Sequence, residues 1–535
     1  MSNINIEISG LSNWINMEKT ATLRADESRC VRSHIERELS HLGVEVSSVE
    51  INRSGQYQSP AAPYLFPAGS DAPPPPMVTA LPDFCDVRLV KRDDAGHPVE
   101  FTVWVPLVWN RRFMGTGGGG NRSHHEWLYP EGIVRIMTMP VALRNGFATT
   151  ATDAGYGHDL RFADWPLNEA TRQLDWSLIE NWLYRSKHDM AVIAKAVIKA
   201  IYGEDPIYSY FQGTSGGGRD ALAAAQHHPE DFDGVWASDP AIHWTKLSPA
   251  GMWPALVMKE SGNPIPPAKF RAFHAAVLKQ YPWLDGSTDD GALPERPVEF
   301  DASSLVGTPT DAGPITELDA SVVQKIWAGP RRADGTALWY GLRPGTESWG
   351  DNMLQVGMAS TKSVNGRIEP EPFLMSTSYF RTWIFRDPNW DWKSLTIEQY
   401  LDLFQKGVDD FASRIDTDNP DLTGLATLGR KLLLSHGAGD GVIFPDGTID
   451  YYNRVVKTMG GVEKTKNFMR FFLSPGDCHS TIEKGPGLTV AGGMAALMRW
   501  VEQGEAPDAV EIVAIDLQSG TPGYPRRLPA VEAGR

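Results

Sequence analysis

The sequence predicts an α/β protein, with a mostly parallel sheet covered by helices on both faces and interrupted by a large insertion. Three observations predict it. Strand-length apolar runs alternate with helix-length amphipathic runs over residues 81–243; the alternation lapses over 244–428; and it resumes over 429–535. Residues 1–80 stand before this pattern as a peripheral segment. They hold one helical stretch, roughly Glu27 to His41, and close in the proline run Pro73 to Pro76.

The elements follow in order. FTVWVPLVW (Phe101 to Trp109) and RFMGTGGGG (Arg112 to Gly120) read as apolar strands, the second leaving into a glycine loop. GFATTATDAGYG (Gly146 to Gly157) is a third strand entering a turn. In SKHDMAVIAKAVIKAIYG, Met190, Ile193, Val197 and Ile201 are spaced for one buried helix face. IYSYFQGTSGGGRDALAAAQHHP then runs strand, glycine turn, helix, and Gly234 to Ala241 is the next strand. After the insertion come strand KLLLSHG, helix GTIDYYNRVVKTMG, strand NFMRFFLSPGD and helix LTVAGGMAALMRWVEQG. The insertion holds nine of the eighteen tryptophans, which read either as a lid and pocket wall or as the packing of a second core.

Bulk properties narrow the function. Hydrophobic residues make up 41% and charged residues 22%, the balance of a globular protein that buries a large core. A net charge of −16 disfavours nucleic acid and anionic membrane surfaces, whose recognition needs clustered Lys and Arg. The first nineteen residues show no basic stretch followed by an apolar one, and no run of about 18 apolar residues occurs anywhere. The three cysteines, Cys30, Cys85 and Cys478, are too sparse for a secreted disulfide framework. A cytoplasmic protein acting on a small molecule is the expectation.

The sharpest chemical signal is Gly213-Thr214-Ser215-Gly216-Gly217, a G-x-S-x-G sequence between an apolar strand and an Ala-rich helix. That context defines the nucleophile elbow of the α/β-hydrolase fold, where glycines let a strained turn project the serine hydroxyl from the sheet edge. The hydroxyl needs a general base oriented by a carboxylate, in the chain order Ser, Asp or Glu, His. His479 follows the last core strand, and Asp440 lies 39 residues earlier after strand KLLLSHG, room for one helix and one strand. His436 is a rival base that precedes the acid; His227 and His228 end the elbow helix. Asp446 and Asp450 are rival acids that open the next helix. Backbone N–H groups should stabilise the oxyanion. Gly216, after the nucleophile, is one expected donor, and the second falls in Gly117 to Gly120, with Gly119 the choice.

Taken together these residues resemble the tannase and feruloyl esterase family, which also contains a hydrolase of mono(2-hydroxyethyl) terephthalate. The resemblance rests on LPDFCDV (Leu81 to Val87), WNRRFMGTGGGG (Trp109 to Gly120), GTSGGGRDALAAAQHHPEDFDGVWASDPA (Gly213 to Ala241), WAGPRRADGTALWYGLRPGTE (Trp327 to Glu347), SHGAGDGVIFP and SPGDCHS. It implies an α/β-hydrolase core with a large inserted lid, a triad of Ser215, Asp440 and His479, and an ester of an aromatic acid as substrate.

Two departures stand out. The family joins cysteines beside its serine and histidine in a disulfide; here those positions are Thr214 and Ser480. The family segment matching LPDFCDV bonds its cysteine near the N-terminus, so the resemblance offers Cys30 and Cys85 as a pair. The family also carries a calcium loop in the lid. LDGSTDDG (Leu284 to Gly291) is similar and offers Asp285 and Asp289 as oxygen ligands, although Pro282 stands at the family's first aspartate. It reads equally as a solvated acidic turn. No cofactor is required for the chemistry. Acyl transfer to an alcohol by the same triad, and ligand binding without catalysis, stay open beside ester hydrolysis.

Overall fold

Nine segments pair into one sheet: β1 (Val44–Asn52), β2 (Phe84–Arg92), β3 (Pro98–Pro106), β4 (Arg112–Thr116), β5 (Ala148–Thr152), β6 (Tyr208–Thr214), β7 (Gly234–Ser238), β8 (Lys431–Gly437) and β9 (Met469–Ser474). Their spatial order is β9-β8-β7-β6-β4-β5-β3-β2-β1. The run from β9 to β5 is parallel, and β3, β2 and β1 add on antiparallel. This is the α/β-hydrolase arrangement. The computed structural model describes residues 22–58, 77–120, 137–156, 164–168, 170–286, 297–349, 357–479, 485–516, 521–523 and 525–532.

Strands β4, β5, β7 and β9 are buried along their whole length, as a sheet covered on both faces requires. Five long helices matter here: α1 (Ser186–Tyr202), α2 (Gly216–His227), α3 (Ile397–Ile415), α4 (Pro445–Thr458) and α5 (Val490–Gln503). Met190, Ile193, Val197 and Ile201 of α1 pack with α2 and α4 on one face of the sheet. Helix α5 closes the other. The pleat divides β7 accordingly, with Val235 and Ala237 facing the first layer and Trp236 the second.

Residues 1–80, read as peripheral, supply β1 at the sheet edge. The expected helix over Glu27 to His41 is a short helix, Arg32–Glu38, flanked by 3-10 turns. Cys30 and Cys85 are both buried, free thiols.

Between β7 and β8 the described residues add no strand to this sheet. Together with Trp182, which precedes β6, they build a second core in which rings meet edge to face: Trp182 to Trp244 at 5.3 Å, Trp244 to Trp383 at 4.8 Å, and Trp383 to Phe411 at 5.5 Å. Trp244, Trp253, Trp349, Trp383 and Trp392 are buried in it, so packing occupies most of the insertion's tryptophans. No helix among the described residues is long and apolar enough to cross a membrane.

Candidate active site

Strand β6 passes into α2 through Ser215, whose backbone sits at φ 64° and ψ −122°. A non-glycine residue there costs roughly 1–3 kcal/mol and persists only where its surroundings fix it. They do: the Ser215 N–H donates to the Ser238 carbonyl at 2.9 Å, and the Ser215 carbonyl accepts from the Arg219 and Ala241 N–H groups at 3.1 Å each. The flanking glycines are demanded by close approach. A Cβ on Gly213 would lie 2.1 Å from the Gly217 carbonyl oxygen, and one on Gly216 would lie 2.2 Å from that of Gly120.

Asp440 follows β8 and His479 follows β9, so adjacent strand ends carry both to the serine. His479 Nε2 lies 3.0 Å from Ser215 Oγ, and His479 Nδ1 lies 2.7 Å from Asp440 Oδ2. Asp440 Oδ1 accepts from the Val442 and Ile443 N–H groups at 2.8 and 2.9 Å. Burial opposes ionisation of this fully enclosed carboxyl. The charge of His479 and hydrogen bonds from His436 and His479 outweigh it, holding Asp440 well below the usual carboxylate range. An ionised Asp440 keeps the proton of neutral His479 on Nδ1, which leaves the Nε2 lone pair facing the serine hydroxyl. The arrangement can take a proton from Ser215 as its oxygen attacks a carbonyl.

Sequence reading set His436 aside as a rival base; the structure gives it another place. Its Nε2 lies 3.2 Å from Asp440 Oδ2 and 3.3 Å from the Ile443 carbonyl, both acceptors, so that nitrogen carries the proton. The Thr448 hydroxyl, 2.9 Å away, then donates to Nδ1. The other rivals have partners of their own. His227 stacks on Tyr184, His228 faces His188, Asp446 pairs with Arg343 and Asp450 pairs with Arg454.

The glycine loop lies across the start of α2. The Gly117 N–H donates to the Gln212 carbonyl at 2.9 Å and the Gly118 N–H to Asp220 Oδ2 at 3.1 Å, which commits both. The Gly216 N–H belongs to the first turn of α2, where donors have no acceptor within the helix. Asp220 anchors the loop from within α2, a role that sequence reading missed because nothing in GGGRD signals it. Its Oδ1 accepts from Arg219 at 2.7 Å and faces Lys187 Nζ at 3.2 Å. Both cations also donate to the Trp182 carbonyl, at 2.9 and 2.5 Å. Burial, resisted by Asp220 and aided by Arg219, brings the Lys187 amine down to about 8.

Thr214 is buried at the end of β6, and Ser480 lies outside the described residues. So do Asp289 and the side chain of Asp285, whose backbone closes the 3-10 turn Pro282–Asp285. Among the described residues, groups with metal-ligand spacing lie elsewhere, and no chemical step here draws on calcium.

The profile of the family described as tannase and feruloyl esterase matches residues 85–530. A protein of Arthroderma benhamiae named probable feruloyl esterase is similar, with 35% identity over 464 residues that cover 85% of this chain and 83% of its own. Among solved structures, a tannin acyl hydrolase from Aspergillus niger superposes with a TM-score of 0.77 at 21% identity, covering 95% of this chain and 93% of that one. Feruloyl esterase B from Aspergillus oryzae gives 0.72 at 23% identity, covering 93% and 95%. At such identities the structural likeness shows the fold.

Proposed function

This chain belongs to the tannase and feruloyl esterase family, and from that membership we propose that it cleaves its ester through an acyl-enzyme on Ser215. It is a carboxylic ester hydrolase. In the proposed reaction His479 takes the Ser215 proton as Oγ attacks the ester carbonyl, then returns it to the departing alcohol. Asp440 holds the imidazole and stabilises its charge. The N–H groups of Gly216 and Gly119 receive the oxyanion, aimed at charge that develops only in the transition state. Water, activated by the same histidine, then frees the acid.

The observation that carries this reading is the continuous chain Ser215 Oγ, His479 Nε2, His479 Nδ1 and Asp440 Oδ2, with spacings of 3.0 and 2.7 Å. The proposed acyl group is aromatic, of hydroxycinnamic, hydroxybenzoic or terephthalic type. The names of the relatives, feruloyl esterase and tannin acyl hydrolase, support that class.

The test is Ser215→Ala with fluorophosphonate labelling of the wild type. The label should fall on Ser215, and the variant should keep less than about a thousandth of wild-type turnover. Labelling elsewhere, or substantial residual turnover, overturns the acyl-enzyme.

A further inference from the structure

Away from the serine, one ring nitrogen each of His188 and His228 and one carboxylate oxygen of Glu230 lie within 4.8 Å of one another. His188 stands in the first turn of α1, His228 is the C-terminal cap of α2, and Glu230 follows two residues later. The two imidazoles stack with centroids 4.0 Å apart and planes inclined by 19°, so one ring has to turn before both lone pairs meet a single ion.

We infer that these three side chains form a binding site for a divalent transition-metal ion of the zinc class, bridging α1 to the end of α2. Two imidazoles and one carboxylate are the donor set such ions prefer, with water filling the remaining position. Ligand atoms around tetrahedral zinc sit about 3.4 Å apart. The cluster therefore closes on an ion by roughly an ångström, as the His228 ring turns out of the stack and Glu230, whose side chain is 58% exposed, swings in.

Two further observations point to the same ligand. His188 Nδ1 lies 2.8 Å from Asp231 Oδ2, so the carboxylate accepts its proton and leaves the Nε2 lone pair for the ion. This is the carboxylate–histidine–metal relay that orients and strengthens imidazole ligands. A cation there also sits at the C-terminal end of α2, where the aligned peptide dipoles favour positive charge. Since α2 spans twelve residues, the site lies roughly 18 Å along the helix from Ser215. It is independent of the ester chemistry.

The test is titration of the intact chain with zinc alone, followed by calorimetry and by thermal unfolding. One ion should bind per chain and raise the melting temperature. His188→Ala and His228→Gln should each raise Kd at least tenfold, and Asp231→Asn should weaken binding about 10- to 100-fold. Esterase activity in the absence of zinc, unchanged in His188→Ala, verifies that this variant is folded. Failure of the wild type to bind zinc, or wild-type affinity in His188→Ala, overturns the site; the second result would place the ion elsewhere, for instance at the buried cluster of Asp239, His436 and Asp440.

Discussion

His436 Nε2 lies 3.2 Å from Asp440 Oδ2, so the carboxylate oxygen that orients His479 also faces a second histidine. With the two backbone donors on Oδ1, Asp440 is fixed from four directions.

Removing that support should loosen the acid without touching the nucleophile. His436→Leu is expected to lower kcat by tens of fold, up to about 100-fold, with little change in KM, because small misplacements of a catalytic group cost that much. His436→Gln, which can still donate to the carboxylate, should recover most of the rate. Steady-state kinetics of both variants checks this. Full kcat in a folded Leu variant would show that Asp440 needs no second histidine.

Gly216→Ala brings a methyl group against the Gly120 carbonyl, with an initial separation of 2.2 Å. Backbone has to yield, which moves the glycine loop away from the proposed oxyanion position. The expected loss in kcat is about 100-fold or more, the scale of losing one oxyanion donor. A variant with intact kcat would mean that the loop relaxes freely.

Asp416 caps α3 and accepts from the Thr245 N–H and hydroxyl at 2.8 Å each. Burial nonetheless pushes its carboxyl up to about 6 from an ordinary value of 3.8. The folded state thus binds this proton more tightly than the unfolded chain. The resulting stabilisation is complete below about pH 4 and is lost as pH rises to about 6. It amounts to about 3 kcal/mol. Relative to Asp416→Asn, the wild type should become progressively less stable over that interval. Parallel unfolding curves across it would refute the assignment.

For substrate choice, a benzoate or cinnamate ester should be preferred to an acetate or butyrate ester of the same alcohol. Full burial of a phenyl group is worth about 2 kcal/mol, or roughly thirtyfold in kcat/KM. Matched esters in one assay decide it. Equal or better constants for the aliphatic esters would sink the aromatic-acid assignment and leave Ser215 untouched.

Much of this arrangement was legible before folding. The central strands read as apolar runs because both sheet faces are covered, and Ser215, Asp440 and His479 follow from a glycine-flanked turn and the chain order of the strands. Strand β1 escaped because a bulge between Val46 and Ser48 shifts its inward positions, so Val44, Val46, Val49 and Ile51 keep no single alternation. Strand β2 hid behind its charges: Asp86 and Arg88 occupy one face and satisfy each other at 2.7 Å. The contacts of His436 and Asp220 join groups whose pairing depends on how separate loops meet. The insertion's tryptophans carried an ambiguity that only packing resolves, mostly in favour of a core.

The placement of the insertion between β7 and β8 bears on biosynthesis. A ribosome that has finished Ser215 must add a further 264 residues before His479 exists, roughly 13 to 50 seconds at ordinary elongation rates. Throughout that interval the nascent chain has the proposed nucleophile without the proposed base, and on that reading it is inert toward esters. For most of that interval β7, enclosed in the finished molecule, has no β8 to pair with and is an open sheet edge. The half-made polypeptide is therefore chemically safe but sticky; docking of Lys431 to Gly437 moves the open edge to β8, and the aggregation-prone stage ends when Met469 to Ser474 dock.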